Sequence, residues 1–265
     1  MKILLWIGNE SNQIALASKI HKEFGIEGII LESRKSKTKK SFKKLVDKTI
    51  EYIFLRKIGK AWINMKKYYH NHFDLPEEVN ILDIENINSN EAFEFSKNIE
   101  ADLIIVSGTR LVKKKMLSLK PKIGILNLHT GLSPYIKGGP NCTNWCLSTK
   151  QFHLIGNTVM WIDLGIDTGN ILTTEQTNFN GDENLNEIHL KVMQHAHELY
   201  LKSIRFLAKG KHSCINQNEI CKGKTYYTKD WGIKQKINLI LNFRHFKSEL
   251  RNSKKYPSPK TISIS

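Results

Sequence analysis

KILLWIGNESNQIALASKIHKEFGIEGIIL, residues 2–31, reads as three elements in a row. KILLWIG is a continuous apolar run closed by Gly8, the pattern of a strand buried on both faces. From Ser11 onward Ile14, Ala17, Ile20 and Phe24 recur at helical spacing, and GIIL (28–31) is a second buried strand. A β-α-β opening of this kind implies parallel strands joined by a crossover helix. The alternation continues with EAFEFSKNIEA (91–101) as a helix, DLIIVSG (102–108) as a strand, a short helix near 112–118 and IGILNLH (123–129) as another strand. NTVMWID (157–163) and NILTTEQTNF (170–179) are β-rich and flank the tight turn LGIDTG. Between Asp182 and Lys209 the apolar positions Leu185, Ile188, Val192, Leu199, Ile204 and Leu207 trace a long closing helix. The expected fold class is α/β: a doubly wound, mostly parallel, Rossmann-like sheet with helices on both faces.

The 265 residues carry 41 Lys and Arg against 25 Asp and Glu, a net charge of +16. Residues 33–72 hold thirteen of those cations against two acids and residues 234–265 hold eight against one, so the rest is close to neutral. Charge confined to an insertion and a tail does not make the body a nucleic-acid binder. Within the insertion Leu45, Val46, Ile50, Ile53, Phe54, Ile58, Trp62, Met65 and Tyr69 recur every three or four positions, which predicts a long basic amphipathic helix with a break at Gly59. We read it as a solvated lysine face covering the body, with contact to an anionic membrane surface or an acidic partner as the alternative. Beyond about residue 215 the pattern weakens into a basic tail ending in YPSPKTISIS, expected to fray. Cys142, Cys146, Cys214 and Cys221 lack paired metal spacing and are expected as buried small hydrophobes, and no metal is expected. No apolar run reaches the roughly 18 residues of a membrane span, and the N-terminus does not read as a signal peptide, so the expected location is the cytoplasm.

Asn127 and His129 stand at the carboxyl end of a strand, two positions apart and therefore on one side, where doubly wound sheets collect ligands. Taken singly, such a His is a satisfied structural group and Asp167 a turn former.

NLHTGLSPYIKGGPN (127–141) followed by GNTVMWIDLGIDTGNIL (156–172) resembles the folate-dependent formyltransferases, whose shared pattern is N-x-H, a loop with Leu-x-Pro and Gly, then D-T-G. The likeness covers roughly residues 1–212 and includes HAHELYLKSIRFLAKGK (195–211) as the family's closing helix. It implies a catalytic domain over 1–212 with a basic helical insertion at about 33–75, and a short basic C-terminal extension over 213–265. It implies Asn127, His129 and Asp167 as catalytic residues and 10-formyltetrahydrofolate as co-substrate. The residue types agree with that implication: formyl transfer to an amine passes through an oxyanion, which needs preorganised donors and a route for the amine proton. The Asn127 amide and the His129 imidazole can donate to that oxygen, and Asp167 can hold the imidazole and order a proton-relaying water. The substrate amine is itself the nucleophile, so no nucleophilic Ser or Cys is required. The pterin would be gripped by backbone at Arg110, Leu111 and Val112 and in the turn at Asp163, Gly165 and Ile166. IGNESNQIAL (7–16) resembles the substrate-phosphate loop GNGSN of glycinamide ribonucleotide formyltransferase, which would make Gly8, Asn9, Ser11 and Asn12 substrate-binding. Glu10 departs from that loop's Gly, and its carboxylate repels phosphate; Ser11 as a helix N-cap is the alternative.

GLSPYIKGG and TVMWIDLGIDTG are most similar to the sugar-nucleotide N-formyltransferases of surface polysaccharide synthesis. The implied partners are a sugar nucleotide and folate, with a homo-oligomer, in the first place a dimer, as the expected assembly. The tRNA enzyme's separate C-terminal β-barrel would need more chain than follows the closing helix, and the hydrolase of formyltetrahydrofolate carries an extra N-terminal domain. Those enzymes, and a ribonucleotide acceptor, are the alternatives within the family. A non-catalytic protein using the lysine segment on RNA is the alternative outside it. Apart from KKYYHNHF (66–73), the charged stretches lack the interleaved aromatics that stack bases.

Overall fold

β1 (Ile3–Gly8) is buried along its whole length because both of its faces are covered. Ile3, Leu5 and Ile7 join one hydrophobic cluster, and Leu4 and Trp6 join another on the opposite face. That is why the strand reads as an unbroken apolar run rather than as an alternation. The computed structural model describes residues 1–33, 55–251 and 258–265. After β1 come α1 (Ser11–Phe24), β2 (Gly28–Glu32), α2 (Arg56–His70), β3 (Asn80–Ile84), α3 (Asn90–Ile99), β4 (Leu103–Ser107), α4 (Lys114–Leu117) and β5 (Gly124–His129). Then follow β6 (Ile136–Gly138), α5 (Cys142–Ser148), β7 (Gly156–Trp161), β8 (Ile171–Gln176), α6 (Leu185–Ala208), β9 (Lys224–Tyr226) and α7 (Ile233–Arg251).

The main sheet has the order β3-β2-β1-β4-β5-β7-β8, parallel from β3 through β5 and antiparallel at β7 and β8. Winding runs outward from β1 to β3 and restarts on the other side at β4, so the carboxyl ends of β1 and β4 form a switch point. Gly8 and Gly108 meet there: a Cβ on Gly8 would lie 2.5 Å from the Gly108 carbonyl oxygen, so a side chain at position 8 would push the two strand ends apart. One face of the sheet is covered by α1, α2 and α6 and the other by α3 and α4. A third cluster joins α5, α7, the first turns of α2 and α6, and Tyr226.

Several expectations need correction. α2 runs through Gly59 without a break, because burying Ile58, Ala61, Met65 and Tyr69 outweighs a glycine penalty of about 1 kcal/mol. The remaining positions of the expected basic helix, Leu45 to Phe54, lie outside the described residues. The closing helix starts at Leu185, where Asn184 and Glu187 form a capping box. The tail does not fray where it is described. α7 buries Leu239 and Phe246, with the Phe246 ring 5.2 Å from that of Phe152, and the Asn242 amide donates to the Ser148 carbonyl at 2.8 Å. Ile262 exchanges hydrogen bonds with Thr174, covering the otherwise open edge of β8. Cys142 and Cys146 are buried as expected, whereas Cys214 is exposed and Cys221 half-buried. No helix among the described residues is long and apolar enough to cross a membrane.

Two histidines of α6 sit inside the core. Burial lowers His197 from 6.5 to about 3, with Lys19 acting in the same direction, and lowers His189 to about 4. Such groups bind protons in the unfolded chain before they do in the folded one, so stability falls as pH drops from about 6.5 toward 4. At pH 5 each costs on the order of 2 kcal/mol. Urea unfolding should show a lower midpoint at pH 5 than at pH 7.5, and His197→Leu should shrink that difference. An unchanged pH dependence in the variant would show that His197 is charged in the fold.

Candidate functional site

At the carboxyl end of β5, Asn127 pairs with Met160 and His129 with Thr158 of β7, and the two side chains leave the strand on the same side. The turn between β7 and β8 brings Asp167 to both. Its Oδ2 lies 3.3 Å from His129 Nδ1, and its Oδ1 accepts from the Asn127 amide at 3.4 Å. Oδ2 also accepts from the Gly138 N–H at 2.9 Å. On the far side of the imidazole, Nε2 lies 3.2 Å from the Ile136 carbonyl oxygen and 3.5 Å from Cys142 Sγ. The ring is therefore held at both ends. The Asn127 amide keeps a second hydrogen beyond the one directed at Asp167. Burial pushes the Cys142 thiol well above its ordinary range, which keeps it a neutral neighbour of the imidazole.

The turn is shaped by its own side chains. The Asp163 carboxylate accepts from the Gly165 N–H at 3.0 Å and from the Thr168 hydroxyl at 2.7 Å. Asp167 has φ 52, the left-handed region that costs a non-glycine residue energy unless its surroundings impose it. Gly169 passes so close to the Trp161 carbonyl oxygen that a Cβ has no room. Gln217 imposes the conformation: its buried amide donates to the Asp167 carbonyl at 2.9 Å and to the Gly169 carbonyl at 2.7 Å.

Beside the turn, the loop after β4 carries Arg110, Leu111 and Val112. Arg110 is tied to the buried carboxylate of Glu32 through its guanidinium at 3.0 Å and its backbone N–H at 2.8 Å, and its guanidinium also donates to the Glu85 carbonyl. Glu32 accepts in addition from the Ile87 N–H at 2.8 Å. Leu111 is exposed toward the cleft, and Val112 is buried in the core under α4. At the β1 end, the Asn9 amide donates to the Ser33 hydroxyl at 2.9 Å, and Asn12 is buried with its amide 3.6 Å from Met193 Sδ. Glu10 fronts α1 with its carboxylate 3.5 Å from Lys66 Nζ. Ser11 is not in the cleft wall: its hydroxyl donates to the Lys66 carbonyl at 2.6 Å, fastening α1 to α2.

These elements enclose a cleft of about 640 Å³. It brings together all the residues read from the sequence except Ser11, and is lined as well by Trp62, Met193, Tyr226, Tyr227 and Thr228. Sequence reasoning missed those five, Glu32 and Gln217. A carboxylate closing the apolar run GIILE and the aromatic group TYYTKDW in a basic tail were available signals; Gln217 offered none.

The formyl transferase family model matches residues 3–204, and the chain belongs to that family. It is 27% identical over 209 residues to the methionyl-tRNA formyltransferase of Clostridium tetani, covering 78% of this chain and 59% of that protein. With the enzyme of the same name from Clostridium botulinum it is 34% identical over 140 residues, 52% of this chain and 43% of that one. The chain thus spans between about two-fifths and three-fifths of these relatives' length. Among solved structures it is similar in fold to a 4-N formyltransferase from Francisella tularensis (TM-score 0.56, 17% identity, 91% of this chain and 87% of that one). It is similar also to an N-formyltransferase from Helicobacter canadensis in complex with folinic acid and dTDP-3-aminofucose (TM-score 0.57, 16% identity, 92% and 81%).

Gln217→Leu keeps most of the volume and removes both hydrogen bonds to the turn. Leaving those carbonyls unpaired should cost about 1–3 kcal/mol of stability. Thermal melting of the purified variant checks this; a wild-type midpoint would show that the clamp carries nothing.

Proposed function

As a member of that family the chain acts, we propose, as an N-formyltransferase that moves the formyl group of 10-formyltetrahydrofolate to the amino group of a nucleotide-linked amino sugar for surface polysaccharide synthesis. The observation that carries the reading is the contact of both Asn127 and His129 with the one carboxylate of Asp167. Folate supplies an activated formyl group. Asn127 offers its second amide hydrogen to the formyl oxygen, on which negative charge develops as the amine adds. His129, oriented by Asp167, exchanges its Nε2 contact with the Ile136 carbonyl for that oxygen, and with Asp167 passes the proton the amine loses to N10 of tetrahydrofolate, which leaves as its bond to the formyl carbon breaks. The Asn127 amide is preorganised by its contact with Asp167, so little is spent on arranging it during reaction.

The folate side of the cleft suits its ligand. Leu111, Leu164 and Ile166 expose apolar side chains around a turn and a loop that present backbone N–H and C=O groups. We assign the pterin edge to the backbone of Arg110, Leu111, Val112, Asp163, Gly165 and Ile166, and the apolar remainder to those side chains. Gly8, Asn9 and Asn12 border the acceptor. Because Gln217 holds the Asp167 turn and Tyr226 to Thr228 border the cleft, we extend the catalytic unit past residue 212. The acceptor assignment draws on the similarity in fold to sugar N-formyltransferases. A tRNA acceptor is the second reading, favoured by the sequence relatives named methionyl-tRNA formyltransferases.

Incubation with 10-formyltetrahydrofolate and either a panel of amino-sugar nucleotides or methionyl-tRNA, followed by mass spectrometry, separates the two. The expected result is one added formyl group on a sugar nucleotide; formylation of methionyl-tRNA alone would overturn the acceptor. His129→Ala and Asp167→Asn should each reduce kcat by on the order of 100-fold or more while retaining the fold. Wild-type rates in both variants would remove the catalytic trio.

A further inference from the structure

The cleft's two walls grow from opposite faces of the sheet. Val112 and Ile162 belong to the cluster under α3 and α4, whereas Trp62 and Met193 belong to the α1, α2 and α6 face and Tyr226 to the cluster beneath α5 and α7. If the first wall holds folate, the amine arrives along the second, and that wall is aromatic. Tyr227 borders the cleft with 47% of its surface exposed. An aromatic ring left in water at the mouth of a cleft is apolar area awaiting a flat partner. Its neighbours make it a rigid one. Tyr226 is buried and stacked on Trp145 at 4.3 Å and 27°, and Trp145 meets the edge of Trp231 at 4.9 Å. β9 is bonded to β6, whose Gly138 donates to Asp167, so the aromatic strand is tied to the trio itself.

Charge follows the same side. An anion at the N-terminus of α1 would face the Glu10 carboxylate, which repels it. Lys229 Nζ lies 5.6 Å from the Tyr227 ring centre and Lys224 Nζ 4.8 Å from that of Tyr226. Among the described residues neither lysine makes an ion pair, and both are exposed. An aromatic ring in the cleft wall and two exposed ammonium groups within three positions of it along the chain match a base joined to phosphates.

We infer that residues 224–229 form the seat of the acceptor's nucleoside diphosphate: Tyr227 stacks on the base and Lys224 and Lys229 take the phosphates. This rests on the sugar-nucleotide reading above. Calorimetric titration of the full chain with nucleoside diphosphates (UDP, dTDP, GDP), and separately with tetrahydrofolate, tests it. Tyr227→Leu should weaken the bound diphosphate about 5- to 50-fold, in line with the stacking energy of a base on an aromatic ring, while Tyr227→Phe stays within about twofold. Lys224→Gln with Lys229→Gln should weaken the diphosphate more than the free nucleoside and reduce the salt dependence of its binding. Tetrahydrofolate affinity should be unchanged in all of them. Wild-type diphosphate affinity in Tyr227→Leu, or an equal loss of tetrahydrofolate, would overturn the seat while leaving the acceptor class intact. A wild-type protein that formylates another amine and binds no nucleoside diphosphate would overturn both.

Discussion

A carboxylate with little solvent around it has to be compensated, and at Asp167 the compensation organises the site. One oxygen accepts from the Gly138 amide and faces the His129 ring, and the other accepts from Asn127. Three chain segments, β5, β6 and the turn after β7, are thereby fixed relative to one another. Because a buried carboxylate that loses its partners is strongly unfavourable, the geometry that satisfies Asp167 is also the geometry that aligns the imidazole. The left-handed backbone at Asp167 is a local cost, and the two hydrogen bonds from Gln217 offset it. The bonds that satisfy the carboxylate are therefore the bonds that fix the three segments, so removing any one of them perturbs the whole cluster.

The sheet places this cluster where it does for a separate reason. Reversal of winding between β1 and β4 opens a gap at their carboxyl ends, and the close approach of Gly8 to Gly108 shows how tightly the gap is closed below the cleft. Above it, Glu32 ties the end of β2 to the Ile87 and Arg110 amides, giving the loop after β4 a fixed shape. Arg110 serves that architecture with its guanidinium, which leaves mainly its backbone to face a ligand. α6 braces the other side: the buried Tyr200 hydroxyl donates to the Leu126 carbonyl at 2.8 Å and lies 3.3 Å from the Val106 amide, joining β4 and β5 just before Asn127. The basic helix α2 contributes through its apolar side, since Trp62 borders the cleft while its lysines face outward.

The α/β class, the strands β1, β2, β4, β5, β7 and β8, and the meeting of Asn127, His129 and Asp167 were legible in the sequence, because each rests on short-range rules, whereas β3 and the order of the strands in the sheet were not read from it. Burial on both faces writes a strand as an apolar run, period two sends positions 127 and 129 to one side, and a turn requires Gly and Asp nearby. The short strands β6 and β9 were not legible, because three-residue strands carry no period and exist only through pairing across 88 positions of chain, Ile136 with Lys224. For the same reason the tail read as frayed: Leu239 and Phe246 of α7 are apolar only at intervals, and their partners on α5 and at Phe152 and Phe179 are distant in sequence. Ser11 went the other way: neither a ligand contact nor the helix N-cap, which is Glu10, it is the first residue of α1 and its hydroxyl goes to α2, which could not be known until the helix beside it was placed. By itself, then, the sequence determined which side chains stand together at the carboxyl end of β5. Only the tertiary structure decided that Gln217 holds the Asp167 turn and that Tyr226 to Thr228 border the cleft, because these contacts are hydrogen bonds and ring packing between segments that no local pattern connects.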